Sequence, residues 1–259
     1  MYDFQKASMS KRISAALFDI IILCIVAVGF AFILSAALSY DSQLDALDDI
    51  KTSYEQEYSV NSEGYEVSLE ISAAEYEALS EEQKEIYQST YDALASDDTA
   101  NYLSAKILNL SLLITSFSIL FAYLSVEFVV PLIIGNGQTP GKKIFGVAIM
   151  REDGVKISPV ILFVRTILGK YAVETMIPVF VIIMILLEAM GIIGVVTIGA
   201  LLVIQAVLVI TSKARAPIHD RLAHTVCVDL ASQMIFDTPE EMIAYRKRIH
   251  SESIAPEEN

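Results

Sequence analysis

Nineteen consecutive residues, Ile20–Leu38, carry no charge, and a second uncharged run of nineteen extends from Leu108 to Val126. At 1.5 Å rise per residue each run matches the roughly 20 residues needed to cross a hydrocarbon layer about 30 Å thick. Backbone polar groups in lipid must be satisfied within the segment, so both runs are expected to be helices. Thr175–Leu187 and Ala189–Thr211 form two further uncharged stretches on either side of Glu188, with Gly191 and Gly194 suited to a tight turn between them. Hydrophobic residues make up 54% of the chain and charged residues 19%, with a mean hydropathy of +0.52. An ordinary soluble domain has about 25% charged residues. A soluble globular protein, a disordered chain and a coiled coil are therefore excluded.

Charge is divided unevenly. Residues 41–104 hold 17 Asp and Glu against Lys51 and Lys84, a local net of −15 in a chain of net −14, so the other residues sum to +1. The overall sum, hostile to nucleic acid at first sight, therefore misleads, because the acidity is local; no nucleic-acid partner is expected. Basic residues gather elsewhere: Lys6, Lys11 and Arg12 before the first run; Lys142, Lys143, Arg151 and Lys156 after the second; Lys213, Arg215, Arg221, Arg246, Lys247 and Arg248 after the last. By the positive-inside rule both termini and the central loop are cytoplasmic, which requires four spans. The third is placed at about 172–190 and the fourth at about 192–212, a short allowance that a tilted helix accommodates. Lys11 and Arg12 ahead of an apolar run, with Ser35-Ala36-Ala37 near its end, resemble a signal peptide. The run is too long for that, however, and other spans follow, so it is read as a retained span.

Between the spans, Ser158-Pro159 reads as a helix start. Arg165, Lys170 and Glu174 interrupt the apolar sequence that follows, with Lys170 and Glu174 spaced to pair on one face. The expectation is an amphipathic helix lying at the cytoplasmic interface. In the acidic insertion, Ser72 with Glu75 and Ser80 with Gln83 fit capping boxes, predicting one or two short outer helices. Thr238-Pro239-Glu240-Glu241 predicts a tail helix through about Arg248, whose basic end suits anionic headgroups. The overall expectation is an all-α membrane protein. Its parts are a cytoplasmic N-terminus with the first span (1–40), an acidic extracytoplasmic insertion (41–104), the remaining membrane core (105–228) and a cytoplasmic tail (229–259).

Charges inside a membrane protein are its leading functional candidates. Arg12 and Asp19 are seven residues apart, almost two helical turns, and share a face. A lone carboxylate at the depth of Asp19 costs several kcal/mol or takes up a proton, so it should face the bundle and find a cation, with Arg165 and Lys170 as the expected partners. Glu127, four residues before Pro131, faces either Arg12 or Arg165 or the aqueous interface. Glu188 belongs to an outer turn, and Gln205, mid-span, is suited to an interhelical hydrogen bond.

The loop Gly135-Asn136-Gly137-Gln138-Thr139-Pro140-Gly141-Lys142-Lys143 fails the phosphate-loop pattern, because five residues separate Gly135 from Gly141-Lys142 and Lys143 stands where Ser or Thr is required. It reads instead as a fixed turn delivering Lys142 and Lys143 to the headgroups. Beyond it, Asp153-Gly154 is a hairpin signal, predicting Lys143–Met150 against Val155–Ile157. His219-Asp220 has no neighbouring Ser or Cys nucleophile, and Asp220 beside Arg221 is expected to form an ion pair. His219 and His224, five apart, do not share a helical face, and Cys24 and Cys227 make no metal or disulfide pattern. No cofactor and no enzymatic activity are expected.

Several of these segments together resemble the RDD family of small multi-pass membrane proteins, named for one arginine and two aspartates. Lys11-Arg12-Ile13 with Asp19 is similar to its first-helix signature, Gly137-Gln138-Thr139-Pro140-Gly141-Lys142-Lys143 to its loop motif, Arg165 to a recurrent arginine, and His219-Asp220-Arg221-Leu222-Ala223 to its final motif, making Asp220 the second aspartate. The resemblance covers 11–40 and 106–228. His224, where the family usually has a small residue, and the long acidic insertion depart from the pattern. The resemblance implies a membrane protein with a role in transport. The expected charged cluster is Arg12, Asp19, Glu127, Arg165, Lys170, Asp220 and Arg221. Two functions stay open: a secondary transporter or ion-coupled permease of the cell membrane, homo-oligomeric because four spans make a thin wall, or a non-transporting scaffold presenting the acidic outer domain.

Overall fold

The computed structural model describes residues 5–60, 64–211 and 216–254. Lys213 and Arg215, counted above among the basic residues after the last span, lie outside them. Four helices are long and apolar enough to cross a membrane: α1 (Met9–Ala37), α5 (Asp98–Ile134), α7 (Pro159–Leu186) and α8 (Gly191–Thr211). Their outward residues, such as Phe32, Ile192 and Ile210, are apolar and more than two-thirds exposed, as side chains bathed in lipid would be. Arg12 and Asp19 both lie within α1.

The third span differs from expectation. Pro159–Leu186 is one helix, so Ser158–Glu174 is not a separate interfacial element but the first half of a span. Two stretches wind with π geometry, Tyr123–Val129 in α5 and Val164–Met176 in α7. Each ends two residues before a proline, Pro131 or Pro178, and each proline stands four residues after a glutamate, Glu127 or Glu174. Proline has no N–H to return to the carbonyl one turn back, so the local ladder must change. Thr166 of α7 donates its hydroxyl to the carbonyl of Glu127 at 3.1 Å, joining the two irregular windings.

The chain divides into two compact units, Ala31–Phe117 and the remainder. In the smaller unit, α2 (Tyr40–Val60), α3 (Ala73–Ala78) and α4 (Glu81–Ala95) are helical. Both capping boxes form, Ser72 with Glu75 and Ser80 with Gln83. The 21-residue α2 exceeds the short helices expected there. Asp97 caps α5 by accepting from Ala100 N–H at 2.7 Å and receives the Tyr54 hydroxyl at 3.0 Å, tying α2 to the start of α5.

In the larger unit a two-stranded antiparallel sheet replaces the expected hairpin. β1 (Val147–Arg151) pairs with β2 (Thr225–Asp229), Ile149 opposite Cys227. The Asp153-Gly154 turn does form, with Gly154 at φ 92°, but contributes only a Met150–Lys156 bridge. Lys143 belongs to a short helix, α6 (Pro140–Ile144), and not to a strand. Val147–Met150 and Thr225–Val228 are buried on both faces, so each strand needs a partner along its length, and a three-residue return strand cannot supply one. The segment before α1 joins the far edge of β2 through Asp229 N–H to Gln5 at 2.9 Å. Helix α9 (Ile218–Leu222) packs on the π segment of α7 and leads into β2, and α10 (Pro239–Ile254) closes the described chain from its Thr238 cap.

Candidate functional site

Most residues of the central loop have an identifiable task. Gly135, Asn136 and Gly137 have φ of 90°, 50° and 61°, a run of positive values that glycine tolerates best. At Gly137 a Cβ would come within 3.0 Å of Ile149, so this position also needs the missing side chain for packing. Gln138 Nε2 donates to Val147 carbonyl at 2.8 Å, fastening the loop to β1. Thr139 caps α6, and Pro140 occupies its first turn. Gly141 lets α6 touch α1: a Cβ there would overlap the carbonyl of Ala15 and lie 2.8 Å from Asp19 Oδ1.

The contact is made for Asp19, which is 3% exposed. One carboxylate oxygen accepts Gly141 N–H at 2.7 Å; the other accepts the Thr139 hydroxyl and lies 3.3 Å from Lys142 Nζ. The cation answering Asp19 is therefore Lys142, not Arg165 or Lys170. Lys142 is 7% exposed and is not delivered to the headgroups; Lys143 beside it is exposed. Burial holds the Lys142 amine below the usual lysine range, although Glu127 and Asp19 pull the other way.

Glu127 is buried, 2.5 Å from Lys170 and 3.8 Å from Lys142, so neither the aqueous interface nor a pairing with Arg12 describes it. Lys170 does not pair with Glu174 because the π winding changes which residues share a face. Glu174 instead accepts from the His219 backbone at 3.0 Å and lies 2.7 Å from its Nδ1. Gln205 hydrogen-bonds Glu174 and accepts Ile218 N–H at 3.3 Å, making the expected link from α8.

Asp220 completes a second knot. Arg165 Nε donates to its Oδ1 at 2.8 Å, both side chains being 1% exposed, and Arg12 Nη2 lies 3.8 Å from its Oδ2. Burial alone would push the Asp220 carboxyl up; Arg165, with His219 and Arg12, outweighs it and holds the group below the usual carboxylate range. The expected pair with Arg221 does not form, since Arg221 points outward and is exposed. Glu188 is exposed in the α7–α8 turn, as expected. The Cys227 thiol, 3.7 Å from Asp220, is pushed up by burial.

These knots wall one cavity of about 470 Å³ in the larger unit. Arg12, Asp19, Glu127, Lys142, Arg165, Lys170, Glu174, His219 and Asp220 all line it. Four cations thus face four carboxylates, and the lining is balanced when His219 is neutral. Of the expected cluster only Arg221 is absent. Glu174 and His219 line the cavity too, although the expected cluster leaves both out. For Glu174 the repeated Glu-x-x-x-Pro spacing, shared with Glu127, is the available signal; His219 carries none of that kind.

Burial lowers His219 from its ordinary value of 6.5, with Arg165 and Lys170 acting in the same sense and Asp220 and Glu174 opposing. An unfolded chain therefore takes up this proton first on acidification. The associated stability is complete above about pH 6.5 and declines as pH falls toward the lower folded value. Wild-type thermal stability in detergent should drop between pH 7 and 5.5, whereas His219→Gln should show a visibly flatter profile over the same range.

Buried ion pairs around one cavity, carried on α1, α5 and α7 with the short helices α6 and α9, together with four helices of membrane-crossing length, define an integral membrane protein with a cluster of buried charge. Residues 6–224 match the RDD family. The chain is a member of that family. No match is found among curated proteins or among solved structures.

Proposed function

We propose that this protein is a secondary transporter or ion-coupled permease of the cell membrane, with the charged cavity as its solute and coupling-ion site. The observation that carries the reading is the cavity itself, of about 470 Å³ and lined by eight charged side chains besides His219. Ionisable groups within membrane segments mark solute and ion pathways, and a purely structural pair would need no adjoining space. Both termini and the α5–α7 connection face the cytoplasm on the strength of their basic residues. Anionic headgroups are the natural contacts of these basic ends, and four spans per chain imply a homo-oligomer as the working unit. No catalytic step is assigned.

Flux in proteoliposomes across a panel of inorganic cations and small polar solutes tests the reading. Wild type should carry at least one, and Asp19→Asn, reconstituted to equal folded amount, should lower that flux by about tenfold or more, because the Lys142 amine and Thr139 hydroxyl lose their charged acceptor. If neither protein carries anything, the transport reading fails.

One observation favours a second reading. Both oxygens of Asp19 are fully engaged, as in a strut locking α6 to α1. A scaffold that presents the acidic insertion would lose function when residues 45–100 are deleted, while Asp19→Asn would mainly lower stability.

A further inference from the structure

Three buried polar atoms on the cavity side chains have no hydrogen-bond partner among the described residues: Nη1 of Arg12, Nη1 of Arg165 and Oε2 of Glu127. Arg165 and Glu127 are 1% and 4% exposed, so bulk water does not satisfy them. The two guanidiniums converge because both are drawn to one carboxylate, Asp220, at 2.8 and 3.8 Å. Each still has a donor to spare. Glu127 has the opposite need. Its Oε1 is taken by Lys170 at 2.5 Å, while Oε2 lies 3.8 Å from Lys142, beyond hydrogen-bond reach. Much of the remaining lining is aliphatic, including Ile13, Ile20 and Leu23.

Building on the transport reading, we propose that the cavity binds a small zwitterion, its carboxylate on the spare donors of Arg12 and Arg165, its ammonium on Glu127, and its aliphatic body against Ile13, Ile20 and Leu23. A simple anion would leave the Glu127 oxygen unmet. An inorganic cation would leave both guanidinium donors unmet, and buried groups left unpaired penalise the wrong ligand. Net charge points the same way. The lining is already balanced, and a ligand with no net charge keeps it so in a medium where unbalanced charge is expensive. A cavity of about 470 Å³ accommodates a neutral amino acid, since small-molecule sites span roughly 300–1,000 Å³.

Equilibrium binding of radiolabelled L-alanine, L-leucine and γ-aminobutyrate to the full chain in detergent tests the proposal, with acetate, propylamine and sodium as competitors. At least one zwitterion should bind saturably. Acetate and propylamine, separately or mixed, should displace it only at concentrations about 100-fold higher, because two fragments forgo the linkage of the intact ligand. Glu127→Gln should weaken binding about tenfold or more and narrow the preference over acetate. Should that variant not fold, Arg12→Lys serves instead: it keeps the charge, removes the Nη1 donor and should weaken binding by about tenfold. Binding of none of the three zwitterions, acetate binding as tightly as they do, or unchanged affinity in Arg12→Lys overturns the proposal. Zwitterion binding without any flux would sink the transport reading and leave the site standing; inorganic cation flux without zwitterion binding would do the reverse.

Discussion

Replacing Arg165 by leucine is expected to destabilise the protein by about 3–5 kcal/mol, the usual effect of removing one partner from a buried ion pair. Arg165 Nε and Asp220 Oδ1 are 2.8 Å apart and both side chains are 1% exposed. Removing the guanidinium leaves Asp220 with Arg12 at 3.8 Å as its remaining close cation. Thr225 would still donate to Asp220 at 2.9 Å, but a neutral hydroxyl does not balance the charge. The damage should propagate to the α9–β2 corner, because Asp220, Thr225 and Cys227 share this contact. The measurement is reversible unfolding in mixed micelles, with Asp220→Asn and the double variant completing a cycle. The double variant should cost less than the sum of the singles, since it removes both charges together. Additive costs would show that the pair does not stabilise the fold in the way its geometry demands.

Gly141→Ala should be nearly as damaging although it adds only one methyl group. The new Cβ would overlap the Ala15 carbonyl, which is helix backbone and cannot rotate away, and would sit 2.8 Å from Asp19 Oδ1. Overpacking typically costs about 1–3 kcal/mol, and each hydrogen bond lost from a charged group roughly 1.5–3 kcal/mol more. Displacing α6 from α1 loosens Gly141 N–H, Thr139 and Lys142 from Asp19 together. The total should therefore exceed about 3 kcal/mol. Because the loss passes through Asp19, Gly141→Ala combined with Asp19→Asn should cost clearly less than the two separately. As a contrast, Gly29→Ala in the same first helix, with open space around the position, should be almost silent. Equal effects at Gly141 and Gly29 in the same unfolding assay would refute the close-contact explanation.

The central loop, Gly135–Lys143, shows how far a sequence can be read without its partners. Its glycines announce a turn, but the short helix that Thr139 caps goes unread there, and Lys142, expected among headgroups, is instead buried. Nothing in the loop states that Asp19, 123 residues earlier, lies in reach of its amine. The π windings are similar: Pro131 and Pro178 were visible, but a proline only removes a hydrogen bond, and whether the helix breaks, kinks or widens depends on what its neighbours supply. Here the neighbour is Thr166, which takes up the Glu127 carbonyl.

What the chain dictates alone is how many of its stretches can cross lipid, because hydrocarbon solvates no backbone and tolerates few charges, and so composition over some twenty residues decides a span, though not its limits, as the third span showed. It also dictates local caps, since the Ser72 and Ser80 boxes need only three residues of their own sequence. The choice of partners was decided in three dimensions. Opposite charges attract without regard to sequence separation, so Asp19 took Lys142 over Arg165, and Asp220 took Arg165 over its neighbour Arg221. Likewise β1, apolar on both faces, took β2, which starts just past the family match and about seventy residues on, because only a strand of matching length could satisfy its buried backbone.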